Sequence, residues 1–256
     1  MKVTILGCGP SNGVPTVIGD WGRCDPDNPK NRRRRPSIYI ETKDRKILVD
    51  TSPDFREQAL GAGITRVDAV LYTHEHADHI MGIDDLRSIC RHMGQQIEAY
   101  GTDKVLNLLI KKFGYLIEGS SETVGNMYRP IYRPHEIDGP FDLGASTVIP
   151  FEQDHGICTS LGFRIGNFAY STDVVRLPQE SLDQLHGLDC WVVDCLRARD
   201  EHPTHAHWDV TRAWIEEVKP KRAVLTHMNF QTDYQELADL LPDGVEPAYD
   251  GMVITL

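Results

Sequence analysis

Short apolar runs of five or six residues recur along the whole chain, and most of them end at a polar residue or a turn-forming residue. Their length and their content of Val, Ile and aromatic residues are typical of buried β-strands. The predicted strands are 2–6, 37–41, 46–50, 69–73, 146–151, 161–165, 168–172, 190–194, 223–227 and 252–256. The pattern therefore predicts a protein built on sheets.

Between these strands the apolar positions recur at helical spacing. Val105, Leu108 and Leu109 follow the i, i+3, i+4 spacing of a helix face. Further helices are predicted at 78–90, 178–186, 209–218 and 233–240. We expect an α/β fold in which the helices pack outside the sheets. The stretch 114–145, rich in Gly, Pro and Tyr, is predicted to be irregular, and the sequence leaves open whether it acts as a lid.

Length and composition indicate an ordinary globular protein. With 256 residues, 40% of them hydrophobic, the chain fits one domain, and we predict a single domain over 1–256. Neither a signal peptide nor an apolar run long enough to cross a membrane is evident. The six cysteines form no C-x-x-C pair, which favours reduced, buried thiols and a cytoplasmic protein; a stray metal ligand or a reactive thiol is the alternative.

The formal net charge of −11 argues against binding to bulk nucleic acid, which requires a basic face. One exception is "KNRRRRPS" at 30–37, with arginines at 32–35. This run is either a solvated loop or a clamp for a phosphate group, because guanidinium pairs with phosphate oxygens in a bidentate manner. The sequence leaves both interpretations open.

The residues that carry chemistry stand where predicted strands end. "YTHEHADH" at 72–79 places four ligand-type side chains within six positions, directly after an apolar run. Imidazole nitrogens and carboxylate oxygens are the donor set for zinc, iron or manganese. Three more such residues follow later strands: His155, Asp173 and His227. Together these residues supply what two adjacent metal ions require.

We predict that His74, His76 and His155 hold one metal ion. The second ion would be held by Asp78, His79 and His227, with Asp173 bridging both ions. The same N/O donors serve zinc and manganese, so the sequence does not separate the two metals.

This order of residues resembles the metallo-β-lactamase superfamily. The resemblance implies an α/β fold in a four-layer αβ/βα sandwich, with two mixed sheets, outer helices and a dinuclear site. "ILVDTSPDFR" also matches, with Asp50 in the place of an aspartate that braces the site without binding metal. The common lactamases carry a cysteine at the bridging position, so Asp173 counts against antibiotic hydrolysis.

Two further segments, "LGCGPSNGVPT" and "THAHWDVTRA", resemble the branch that holds the PhnP-like phosphodiesterases and the transfer-RNA 3′-end nucleases (tRNase Z). The second segment aligns His207 with a histidine that contacts the phosphate and protonates the leaving oxygen; His205 is the competing candidate. PhnP carries a cysteine cluster for a structural zinc where this chain has only Cys24, so we expect no third metal site. The long basic arm of the tRNA nuclease is also missing from the sequence.

The resemblance implies a metal-dependent phosphoric diester hydrolase. Its expected substrates are small nucleotide-type or cyclic phosphodiesters, its cofactors two Zn or Mn ions about 3.5–4 Å apart with a bridging hydroxide. Asp78 and His207 are the expected catalytic residues. The alternatives are tRNA 3′ processing, ester or thioester hydrolysis, and an iron redox or cofactor-biosynthesis (PqqB-like) role. Members of the superfamily are often dimers, which leaves a homodimer open.

Overall fold

The computed structural model describes residues 1–118 and 129–256, and these residues form two seven-stranded mixed sheets. The first sheet has the strand order β14-β1-β2-β3-β4-β5-β6 and the second β13-β12-β11-β10-β9-β8-β7. The strands of the first sheet are β1 (Lys2–Gly7), β2 (Ser37–Glu41), β3 (Lys46–Val49), β4 (Ala69–Leu71), β5 (Ile97–Gly101), β6 (Tyr132–Glu136) and β14 (Val253–Thr255). Those of the second are β7 (Phe141–Leu143), β8 (Ser146–Asp154), β9 (Thr159–Ile165), β10 (Phe168–Ser171), β11 (Cys190–Asp194), β12 (Ala223–Thr226) and β13 (Val245–Pro247).

Helices cover the outer face of each sheet. Their bounds are α1 (Phe55–Ala62), α2 (Ala77–Ile80), α3 (Leu86–Met93), α4 (Asp103–Ile117), α5 (Gln179–Asp183), α6 (Trp208–Val218) and α7 (Tyr234–Leu240). The first four pack on the first sheet, and the last three belong to the half of the chain that forms the second. The predicted α/β sandwich of four layers is confirmed. None of the helices in the described ranges is long and apolar enough to cross a membrane.

The first sheet is covered on both faces, and successive side chains of its strands pack into different clusters. In β3, Ile47 and Val49 face the second sheet in the large core cluster, whereas Leu48 between them packs among the helices. Successive side chains of a strand point to opposite faces, so a strand with apolar residues at every position must be buried on both sides. The large core cluster therefore fills the space between the two sheets, and it continues through the second sheet to the helices behind it, including Leu182, Trp214 and Leu237.

The prediction of one helix over 78–90 is wrong. Helix α2 ends at Ile80, a 3₁₀ turn spans Ile83–Asp85, and α3 begins afterwards. Gly82 explains the break, because its amide donates to Thr51 O at 2.9 Å and a Cβ at this position would lie 2.0 Å from Ser52 O. The chain has to turn here to pass that close to the segment after β3.

The prediction of an irregular stretch over 114–145 is also wrong in part. Helix α4 continues to Ile117, and β6 and β7 form the outer strands of the two sheets. The remainder of that prediction, including any lid, falls partly on residues 119–128, which lie outside the described residues.

Candidate metal centre

The candidate site lies where strands of both sheets end. In the first sheet, β3 and β4 run parallel, so the residues that follow them, Asp50 and His74, emerge at one edge. In the second sheet, β10, β11 and β12 are parallel. Their ends carry Asp173, Asp194 and His227 to the corresponding edge. Parallel strands thus gather polar residues from distant parts of the chain at one place.

The structure brings the seven predicted metal ligands together in two groups that share one aspartate. Within each group the candidate ligand atoms lie within 4.8 Å of one another. The first group is His74, His76, His155 and Asp173, and the second is Asp78, His79, Asp173 and His227. All except the half-buried His76 are buried.

Asp173 divides its two carboxylate oxygens between the groups. Its Oδ1 lies 3.2 Å from His79 Nε2 and 3.1 Å from His227 Nε2. Its Oδ2 lies 3.8 Å from His74 Nε2 and 3.5 Å from His155 Nε2. A carboxylate placed in this way can bridge two cations that lie side by side.

Hydrogen bonds at Nδ1 turn the Nε2 atoms of three of these histidines into the site. His79 Nδ1 lies 2.6 Å from Asp50 Oδ2, and His155 Nδ1 lies 2.7 Å from the Thr204 carbonyl. His74 Nδ1 lies 3.0 Å from Thr73 Oγ1. A histidine that donates from one ring nitrogen keeps a free lone pair on the other, which is the form that binds metal.

The backbone at the site adopts unusual conformations. Asp50, Asp173 and His227 have φ values of 60°, 54° and 63°, in the left-handed region. For residues other than glycine this region costs of order 1–3 kcal/mol and persists only where the surroundings enforce it. Since all three residues leave a strand and turn into the site, the strained turns aim their side chains at a common centre.

Buried carboxylates control the protonation of two histidines at the site. Burial alone would lower the pKa of His79, but the carboxylates of Asp173, Asp78 and Asp50 outweigh it and hold that pKa well above its usual range. Burial also acts to lower the pKa of His227, but Asp173 outweighs it and raises that pKa to about 9. The protein alone therefore keeps protons on these rings, and divalent cations would displace them.

The residues present fit a metal site. His74 Nε2, His79 Nε2, His227 Nε2 and Asp78 Oδ2 are buried and make no hydrogen bond of regular geometry in the described part of the chain; their nearest polar neighbours are one another and Asp173, at 3.1–4.0 Å. Buried polar atoms without partners are costly, and several of them pointing at one centre need an explanation. Burial also lowers the pKa of His74 well below its ordinary value, which keeps that ring neutral, as metal binding requires. The two groups offer only imidazole and carboxylate donors, a set compatible with divalent metals such as zinc.

A histidine–aspartate pair adjoins this centre. His205 Nδ1 lies 2.9 Å from Asp194 Oδ2, its ring stacks on His227 with centroids 4.6 Å apart, and its Nε2 lies 3.9 Å from Asp173 Oδ2. Asp194 is fully buried and also accepts from Val174 N at 2.9 Å. Sequence reasoning did not single out Asp194, although its position at the end of a strand next to β10 and β12 is a signal that could have found it.

His207 occupies a different place. It is the N-cap residue of α6, and its backbone pairs with Arg197. Within the described ranges its side chain has no hydrogen bond or ring contact with the clustered histidines. The role that the sequence assigns to His207 stays a prediction, and the geometry favours the competing candidate, His205.

Asp50 lies where a bracing residue would be needed. Besides His79 it accepts hydrogen bonds from Thr73 N and Thr73 Oγ1, both at 2.8 Å. It thus connects the start of the 74–79 segment to the ring of His79.

The arginine run has mostly protein partners: Arg33 is buried, Arg35 pairs with Asp54 at 2.9 Å, and Arg32 lies over the Trp21 ring.

Comparisons with known proteins agree with this geometry. The family described as a beta-lactamase superfamily domain matches residues 45–228. A crystal structure of a diphosphatase from the PhnP family superimposes with a TM-score of 0.90 at 35% identity, covering 99% of this chain and 96% of the other. Zn²⁺-bound PqqB from Methylobacterium extorquens shares the fold, with a TM-score of 0.78 at 20% identity over the whole of both chains.

Among curated sequences, an octanoyltransferase of Porphyromonas gingivalis is 35% identical over 98% of this chain and 51% of its own length. A ribonuclease Z of Bradyrhizobium sp. is 28% identical over 53% of this chain and 45% of its own. The chain thus spans about half the length of these curated relatives. The match over residues 45–228 and the full-length likeness to the diphosphatase establish that the chain belongs to the metallo-β-lactamase superfamily.

Proposed function

We propose that the protein is a dinuclear metal-dependent hydrolase of small nucleotide-type or cyclic phosphodiesters, with the phosphoanhydride bond of a diphosphate-linked substrate as a related target. The observation that carries the proposal is Asp173, whose two oxygens face two separate groups of histidines. The likeness to a PhnP-family diphosphatase over nearly the whole of both chains supports the phosphate chemistry. Zinc or manganese are the metals we propose.

His74, His76 and His155 would hold one cation; Asp78, His79 and His227 would hold the other, with Asp173 between them. When bound, two divalent cations act as Lewis acids on a phosphoryl group and lower the pKa of water at the site. Asp78 Oδ2 lies 3.2 Å from His79 Nε2 and 4.0 Å from His227 Nε2, between the two other ligands of its group, so it is placed to orient the attacking group. The buried surroundings limit access of bulk water to these residues.

His205 is placed to move a proton. Asp194 holds its Nδ1, so Nε2 faces the centre and can donate to a leaving oxygen. General acids of this kind contribute typically ~10²–10⁴-fold to the rate. We therefore assign proton donation to His205 in place of His207.

Metal content and hydrolysis of bis(p-nitrophenyl) phosphate, measured on one sample purified without added metal, test the proposal. We expect two zinc or manganese ions per chain and turnover that a chelator abolishes. Asp173→Asn is the matched control, because activity that survives in that variant would come from a contaminant. Two irons without diester turnover would refute the proposal and favour a redox or cofactor-biosynthesis role.

A second candidate is hydrolysis of an ester or thioester. The relative named octanoyltransferase favours it, although about half of that protein has no counterpart in this chain. Hydrolysis of an octanoyl thioester faster than of the phosphodiester would favour this candidate. Cleavage of a tRNA precursor, the activity that the ribonuclease Z relatives suggest, belongs in the same panel.

A further inference from the structure

Arg33 is a buried cation that contacts the segment directly after His227. The side chain is 1% exposed and ranks among the largest fully buried side chains of the described residues. Its Nη1 donates to the carbonyls of Met228 and Asn229 at 3.3 and 3.1 Å, and its Nη2 donates to Asn31 Oδ1 at 3.0 Å. The guanidinium is therefore fixed by three acceptors, two of which belong to the residues directly after a candidate metal ligand.

The segment after His227 is held from both sides. Its amides donate outward, Met228 N to Cys8 O and Asn229 N to Leu196 O, both at 3.0 Å. Its carbonyls accept from Arg33. Without the guanidinium the amide anchors would remain, but the Met228 carbonyl would lose its donor and the Asn229 carbonyl would keep only Thr232 N at 3.1 Å, so the peptide plane after His227 could rotate.

His227 depends on this backbone more than His74, His79 and His155 depend on theirs. His74, His79 and His155 each have a hydrogen bond at Nδ1 that orients the ring. His227 Nδ1 is buried and has no partner in the described part of the chain. The direction of its Nε2 is thus set by the left-handed backbone at φ 63° and by the packing of its ring.

The charge of Arg33 is balanced through a relay. Asn31 accepts from Arg33 and donates through Nδ2 to Asp233 Oδ2 at 2.6 Å. Asp233 in turn caps α7 by accepting from Gln235 N and Glu236 N. Arginine remains charged at any ordinary pH, and its planar fork suits several fixed acceptors better than a lysine ammonium does.

We propose that Arg33 is a positioning residue for the His227 half of the metal centre. By fixing the Met228 and Asn229 carbonyls it holds His227 in the conformation in which Nε2 meets Asp173 and Asp78. The inference rests on the proposed function, in which His227 binds a metal. It assigns a role to one member of an arginine run that would otherwise suggest phosphate binding.

The test is a Co²⁺ titration of the chelator-stripped full chain, followed by visible absorption. Arg33→Lys keeps the charge but not the fork, and Arg33→Met removes both. His227→Ala identifies which binding step belongs to the second group. Arg35→Met is the matched control, since it removes a neighbouring arginine whose partner, Asp54, is not among the metal-binding groups.

We expect two Co²⁺ steps in the wild type. In both Arg33 variants the step that His227→Ala abolishes should weaken about 10–100-fold, the range for residues that support a metal ligand. The other step and the Arg35→Met protein should be unchanged. Asn31→Ala, which removes one acceptor of the guanidinium, should weaken the same step less, and it decides the matter if the Arg33 variants do not fold.

Two results would overturn the assignment: both steps unchanged in the Arg33 variants, or both weakened equally, as a general loss of stability would do. A wild-type protein without a second Co²⁺ step would refute the dinuclear function itself. The two failures are therefore distinguishable.

Discussion

Replacing Asp50 with asparagine tests whether a residue that binds no metal controls the metal site. The carboxylate accepts three hydrogen bonds, from Thr73 N, Thr73 Oγ1 and His79 Nδ1, and is fully buried. Asparagine has nearly the same shape but offers one acceptor atom and two donor hydrogens. Asp50→Asn therefore changes hydrogen bonding and charge while leaving packing almost intact.

In Asp50→Asn, either Thr73 N or His79 Nδ1 must face the NH₂ group of the amide where it faced an oxygen before. If its NH₂ group faces His79, the ring has to accept at Nδ1 and carry its proton on Nε2, the atom that points at Asp173. That tautomer cannot bind a metal. If the amide oxygen takes the Oδ2 position that faces His79 and Thr73 Oγ1, the backbone amide of Thr73 meets NH₂, which costs about 1–3 kcal/mol for the unsatisfied buried group. We expect metal affinity at the second group to fall about 10–100-fold, or about 1.4–2.7 kcal/mol.

Competition with a chromophoric chelator measures this affinity directly. Asp68→Asn is the matched control, because Asp68 is also a buried aspartate beside β4 but lies at the opposite end of that strand, where it accepts from Lys46 N and Arg66. Both substitutions should lower the free energy of unfolding, and only Asp50→Asn should lower metal affinity. Wild-type affinity for both metals in Asp50→Asn would refute the reasoning.

Three further predictions follow from the geometry. Asp173→Ala should lose both metals, not one, because its two oxygens face both groups; metal analysis after gel filtration shows whether one remains. His205→Gln should keep both metals and lose ~10²–10⁴-fold in turnover, whereas His207→Gln should change turnover little; the opposite pattern would return the acid role to His207. Burial chiefly raises the pKa of Asp250 from 3.8 to about 6, so the folded chain holds this proton more tightly than the unfolded chain, and stability falls as the pH rises from about 4 to about 6. Asp250→Asn should remove a fall of about 3 kcal/mol in urea unfolding measured across that range, and equal pH dependence in the two proteins would contradict the assignment.

The sequence predicts the strands that are apolar at nearly every position, such as β3, β4 and β11, because both of their faces are buried. The strands that escaped prediction are β5, β6, β7 and β13. The last three are edge strands, whereas β5 is an interior strand whose sequence "IEAYG" alternates between buried and half-buried positions. In β6 the pattern is "YRPHE", with a proline and three polar residues, since an edge strand has fewer neighbours to bury.

Donor residues of the candidate site could be predicted because four of them fall within 74–79. The proposal of His205 in place of His207 could not be reached from the sequence, because it rests on Asp194, which folding brings beside His205 from eleven residues away. Spacing to the following helix carries no information about that contact. Likewise, nothing in a run of four arginines distinguishes the buried Arg33 from its exposed neighbour Arg32.

The two halves of the chain each hold an incomplete donor set. Residues 74–79 leave the first sheet, while His155, Asp173 and His227 leave the second. Metal ions bound here would link the two sheets, and the affinity for these ions would depend on how closely the two sheets pack against each other. A substitution in the shared core, for example at Phe151 or Phe163, would then change the metal affinity although it alters none of the metal ligands.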